Sequence, residues 1–125
     1  MLKQEAKFLE VIQRDGVASL ATCGPDGVHL VATWNRFLMV QDEMLLIPAG
    51  GYRKTQSNTE KGSLVQLLVG SPEVEGKSGK PGCGYRLTGQ AEFHETGVYF
   101  QAIKEQFPWA RAALVLRVEK IEQLM

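Results

Sequence analysis

Gly24-Pro25-Asp26-Gly27 separates the apolar stretch Val17–Thr22 from a longer one, Val28–Val40, and this junction decides the fold. Pro and Asp-Gly are turn chemistry, and Asp-Gly accepts the left-handed backbone of a tight connection. Two strands joined so closely pair antiparallel. Upstream, Ala6, Leu9 and Ile12, widened by Phe8 and Val11, make one stripe over residues 3–14, an amphipathic helix that Asp15-Gly16 stops. Downstream, Val28–Val40 reads as one long strand bent near its middle. Gln41-Asp42-Glu43 turns the chain, and Met44–Ile47 forms a strand ending at Pro48.

The rest of the chain continues this pattern. Tyr52–Glu60 is expected to be a helix closed by Gly62, and Leu64–Val69 a buried strand. Ser71–Gly84, rich in Gly, Pro, Lys and Ser, reads as a loop. Tyr85–His94 reads as a strand, Glu95–Gln106 as a helix ended by Pro108, Ala112–Val118 as a last strand, and Glu119–Met125 as a tail. About six hairpin-linked strands with short flanking helices predict a mainly β fold, an antiparallel β-barrel in one domain spanning residues 1–125. Strand and helix do not alternate regularly, which argues against a doubly wound parallel sheet.

Composition narrows the function. Fourteen basic residues balance fourteen acidic ones, so no global field recruits nucleic acid, and any anion site must be local. No apolar run approaches the ~20 residues of a membrane helix, and Met1-Leu2-Lys3-Gln4-Glu5 lacks the pattern of a signal peptide. Cys23 and Cys83 read as free thiols of a reducing compartment, so the expected location is the cytoplasm. His29 and His94 are far apart and lack metal-motif spacing. No Gly-x-Ser-x-Gly or nucleophilic Cys signature is present.

Two segments carry chemistry. Pro48-Ala49-Gly50-Gly51-Tyr52-Arg53-Lys54-Thr55 ends a strand in two glycines and places two cations and a hydroxyl at a helix start. Glycines let backbone N–H groups approach a ligand, and the helix end favours an anion. The segment is not a nucleotide P-loop, because Arg53 and Pro48 stand where that motif needs glycine. A plain Gly-Gly turn before a solvated basic helix is the competing reading. Cations in a first helical turn oppose the dipole, which favours a bound anion.

The second segment is Thr33-Trp34-Asn35-Arg36. Period two pairs Thr33 with Asn35 on one face and Trp34 with Arg36 on the other. Asn35 and Arg36 need polar partners that an apolar core does not supply, and a flavin edge would supply them. Phe107-Pro108-Trp109 brings a second Trp, which reads equally well as a barrel plug or a flavin contact. With no catalytic constellation in the chain, any chemistry would fall largely to a cofactor.

The order of Gly16-Val17, Asp26–Val31, Thr33-Trp34-Asn35, Gly50-Gly51, Lys54-Thr55 and Trp109–Val115 resembles the FMN-binding split-barrel superfamily. That superfamily includes pyridoxamine-phosphate oxidase, and the resemblance is greatest to its small FMN-binding proteins. It implies a homodimer of split barrels with one FMN per subunit near the interface. Carried over, it places Thr33, Trp34, Asn35 and Arg36 along the flavin, and Pro48, Ala49, Gly50 and Gly51 against ring or phosphate. Lys54 and Thr55 would hold the phosphate, Trp109 would lie near the ring, and Met125 would reach the neighbouring subunit's flavin. The C-terminal Arg-Leu motif with which pyridoxamine-phosphate oxidase grips its substrate is missing, so vitamin B6 oxidation is not expected. The implied role is electron transfer through FMN, with an unidentified redox partner. A flavin-dependent reductase acting on a small molecule, or a flavin carrier or sensor, is the alternative.

Overall fold

A computed structural model describes all residues, 1–125. Seven strands form one antiparallel sheet: β1 Val17–Gly24, β2 Gly27–Trp34, β3 Met39–Gln41, β4 Met44–Ala49, β5 Val65–Glu75, β6 Pro81–His94 and β7 Ala112–Gln123. Their order is β2-β1-β5-β6-β7-β4-β3. Helix α1 spans Ala6–Ile12, α2 Arg53–Glu60 and α3 Val98–Gln106. The antiparallel split-barrel expectation is borne out. The sheet curls around a core of Phe8, Leu20, Leu45, Ile47, Leu67, Leu87, Leu114 and Leu116, with Phe8 of α1 edge-on to Tyr85 at 5.9 Å. Outside the barrel, α3 covers a smaller cluster around Leu46, Ile103 and Val115.

Three expectations need correction. Residues 71–84 are not a loop: β5 runs to Glu75 and β6 starts at Pro81. The Gly and Pro content there serves an irregular hairpin instead. Its register shifts between Ser71 and Glu75, where Pro72 is accommodated, and Gly79 and Gly82 take positive φ. Residues 119–123 are not a tail but continue β7 along β6, and Leu124 N–H still donates to the Gly84 carbonyl at 2.8 Å. The bend in Val28–Val40 is a 3-10 turn over Asn35–Phe37 that breaks the stretch into β2 and β3 and raises the count to seven.

Asn35 makes that turn. It is fully buried; its backbone N–H donates to the Gly16 carbonyl at 2.9 Å and its Nδ2 to the Gly70 carbonyl at 2.8 Å. One side chain therefore ties the turn after β2 to β5, while the main chain ties it to the start of β1. Trp34 and Arg36 on either side point outward. Asn35→Ala removes the donor to a carbonyl in a closed environment and is expected to destabilise the fold by about 1–3 kcal/mol in urea unfolding. Asn35→Asp, which sets a carboxylate against that carbonyl, should cost more; unchanged midpoints in both would mean that the tie does not anchor the turn.

Candidate functional site

The pairing of β4 with β7 ends at Ala49 opposite Ala112, and α2 begins at Arg53. Only Gly50, Gly51 and Tyr52 connect sheet to helix. Tyr52 takes the left-handed conformation (φ 62°), unusual for a bulky residue, and is pinned by its hydroxyl donating to the Ala32 carbonyl. Burial raises the pKa of this phenol, which keeps it a donor. None of the backbone N–H groups from Gly50 through Thr55 has an acceptor within the chain; the first one paired is Gln56, which donates to Tyr52 at 2.9 Å. No side chain caps α2, and its first turn contains no acid.

Side-chain donors add to this row. The Thr55 hydroxyl is buried without a partner, although an unsatisfied buried hydroxyl is costly. Arg111 sends Nε and Nη2 to the Gly51 carbonyl at 3.0 and 2.7 Å and Nη2 to Gln56 Oε1 at 2.9 Å, leaving Nη1 buried and unpartnered. Lys54 Nζ pairs with Asp26 Oδ2 at 3.0 Å in the β1–β2 turn. Consecutive unpaired N–H groups, a buried hydroxyl and adjacent cations form an anion cradle.

Beside the cradle runs a groove of about 250 Å³ lined by Ala32, Thr33, Trp34, Phe37, Pro48, Gly50, Gly51, Tyr52 and Trp109. Trp34 and Trp109 are each more than half exposed, an unusual state for the largest side chain. Trp109 is braced by Phe37 and Phe107, ring centroids 6.0 and 5.8 Å away. A Cβ on Gly50 would stand 3.2 Å from the Trp109 ring, so glycine permits the close approach of turn and indole. The groove offers flat aromatic walls at one end and anion donors at the other. A planar ring system carrying a phosphate matches that donor set.

Most of the anticipated residues converge here: Thr33, Trp34, Pro48, Gly50, Gly51 and Trp109 line the groove, with Lys54 and Thr55 in the first turn of α2. Ala49 is buried beneath, its carbonyl accepting the Arg111 N–H at 2.9 Å. Asn35 does not line the groove: it is fully buried beside the exposed Trp34, with its backbone N–H on the Gly16 carbonyl, Nδ2 on the Gly70 carbonyl and Oδ1 unpartnered. Arg36 turns to an adjacent depression of about 400 Å³, lined also by Asp15, Gly16, Trp34 and Phe37, and pairs with Asp15 at 3.2 Å. Met125 lies away from the groove of its own chain, its methyl group against Gly70 and Gly84. Tyr52 and Arg111 were not anticipated. The one signal for Arg111 was a cation at the head of the apolar run Ala112–Val118.

Residues 4–125 match the family model described as pyridoxamine 5′-phosphate oxidase. The chain belongs to the pyridoxamine 5′-phosphate oxidase family. It is 44% identical over 119 residues to an FMN-binding protein of Nitratidesulfovibrio vulgaris (strain DSM 19637 / Miyazaki F), spanning 94% of this chain and 96% of that one. Among solved structures it is similar to an FMN-binding protein of Syntrophomonas wolfei (TM-score 0.72, 19% identity, 99% of this chain and 90% of that one). It is also similar to HupZ of group A Streptococcus (TM-score 0.72, 19% identity, 99% and 93%). These two likenesses show a shared fold.

Lys54 lowers the pKa of Asp26, first through their hydrogen bond and then through its charge. A depressed carboxyl contributes stability above its unfolded pKa and loses it as pH falls through the folded value; both groups being exposed, the contribution is small. In an NMR titration Asp26 should protonate below the ordinary aspartate range, and Lys54→Ala should return it there. An Asp26 pKa indifferent to Lys54 would mean that the cation is not held in this pair.

Proposed function

We propose that this protein is an FMN-binding flavoprotein that works as a homodimer and passes electrons through the bound flavin. The observation that carries the reading is the row of unpaired N–H groups from Gly50 to Thr55 at the end of a groove walled by two exposed tryptophans. The 44%-identical FMN-binding relative points the same way and favours FMN among flavins. FMN, when bound, supplies one- and two-electron chemistry at its ring. In this reading the N–H groups, the Thr55 hydroxyl and Lys54 hold the phosphate, with Lys54 exchanging Asp26 for it. Trp34 and Trp109 flank the ring, and Pro48 and Thr33 exclude water from its edge.

A bare sheet face supports the dimer. Alternation along the strands puts Val28, Leu30 and Trp34 of β2, Val17 of β1 and Leu68 of β5 on one side, and all five side chains are exposed. Gly70 and Gly84, which support the Met125 methyl group, share that side by the same alternation. Monomers seldom leave so continuous an apolar patch in water. A second copy covering it through a two-fold axis would bring Met125 of one chain toward the Trp34 groove of the other. The depression shared by Trp34 and Phe37 favours one alternative, a reductase that takes a small substrate beside the ring. We place this protein in the cytoplasm, and no helix is long and apolar enough to cross a membrane.

The purified protein should show flavin absorbance whose emission is nearly extinguished, since an adjacent indole quenches excited flavin. Trp34→Leu and Trp109→Leu should each restore part of it. The protein should sediment as a dimer that Leu30→Glu dissociates. Bright flavin emission, or a wild-type monomer, would sink the corresponding part of the reading. Bleaching by NADH or NADPH alone, with turnover on a small acceptor, would select the reductase.

A further inference from the structure

Arg111 stands at the start of β7, on the side of the Gly50–Tyr52 connection, and it has two relations to the cradle. The first is mechanical. A peptide unit is planar, with its C=O and N–H directed oppositely. By gripping the Gly51 carbonyl with Nε and Nη2, Arg111 turns the N–H of the same unit, that of Tyr52, away from itself; that N–H has no acceptor in the chain. The grip on Gln56 Oε1 ties the same guanidinium to α2, so turn and helix are held in one geometry. The second relation is electrostatic. Nη1 is buried and unpartnered, and no carboxylate pairs with the guanidinium, which lies over the Phe93 ring at 5.7 Å. Burial first, and then the Arg53 cation, disfavours its charged form. An anion held on the far side of the peptide would offset the charge.

We infer that Arg111 is the residue that commits the cradle to a phosphomonoester, by orienting the Gly51–Tyr52 peptide and holding a positive charge behind it. The inference rests on the FMN reading, and its consequence is discrimination: Arg111 should set the preference for FMN over riboflavin, which has the same ring and no phosphate. Dissociation constants for both ligands, from quenching of flavin emission, should be measured for wild type, Arg111→Gln and Arg111→Lys. Circular dichroism and thermal melts without ligand report folding.

Arg111→Gln should weaken FMN about tenfold, the effect of losing a nearby positive charge and the fixed orientation of one donated N–H, and leave riboflavin nearly unchanged. Arg111→Lys keeps the charge but cannot fork across Gly51 and Gln56, so its loss for FMN should be intermediate. Millimolar guanidinium should restore part of the FMN affinity of Arg111→Ala and none of its riboflavin affinity. Parallel losses for the two ligands, or an unchanged preference in Arg111→Gln, would overturn the inference while leaving the FMN reading intact. A wild-type protein that does not prefer FMN to riboflavin would overturn that reading as well.

Discussion

The connection from β4 to α2 is the constraint on which the site depends. Antiparallel pairing with β7 satisfies the backbone up to Ala49, and the helix satisfies it from Gln56 onward. Between them lies a row of N–H groups that neither element can pair. Buried donors left without acceptors are normally avoided, and those near a surface face the field of a helix start. Here the row is held still rather than relaxed. Tyr52 sits in a left-handed conformation fixed by its hydroxyl, and Gly51 is fixed by Arg111. The connection thus keeps a set of donors in one geometry, as the proposed phosphate site requires.

A second anchor organises the aromatic end. Asn35 is buried and bonded to β5 and to Gly16 just before β1, which ties the turn after β2 to both. Trp34 and Phe37 extend from this point, and Trp109, from the segment before β7, packs on Phe37 and Phe107 and lines the same groove as Trp34. Cradle and aromatic walls share the same sheet, since β4 and β7 carry one and β2 the other. Small shifts in the sheet would change the spacing between them. The bare face of β2, β1 and β5 adjoins the Trp34 end, so assembly of two copies would stiffen the part of the groove that lies on an edge strand.

Much of this was legible in the residues. The Gly24–Gly27 turn fixed the first hairpin, and the polar and aromatic residues Thr33 to Arg36 marked a strand with duties beyond packing. Two glycines followed by Arg, Lys and Thr marked the cradle. The long β5–β6 hairpin was hidden because Gly and Pro signal loops by local preference, and only pairing across the sheet shows that Pro72 sits in an irregular stretch between matched registers. Period two does not apply to Asn35, because the strand ends at Trp34 and a 3-10 turn begins there, and no local pattern shows that Asn35 is buried. Arg111 was illegible because its partners, Gly51 and Gln56, lie 60 and 55 residues away. No local pattern encodes such a contact.

The central claim is that the backbone from Gly50 to Thr55 receives the phosphate of FMN. Amide proton chemical shifts measure this directly, because an N–H that donates to a phosphate oxygen moves downfield. On addition of FMN to the flavin-free protein, amides between Gly51 and Thr55 should move downfield together with the Trp34 and Trp109 indole signals. Riboflavin should move the indoles and leave those amides nearly in place. FMN that binds tightly without shifting the Gly51–Thr55 amides, or riboflavin that shifts them equally, would contradict the account.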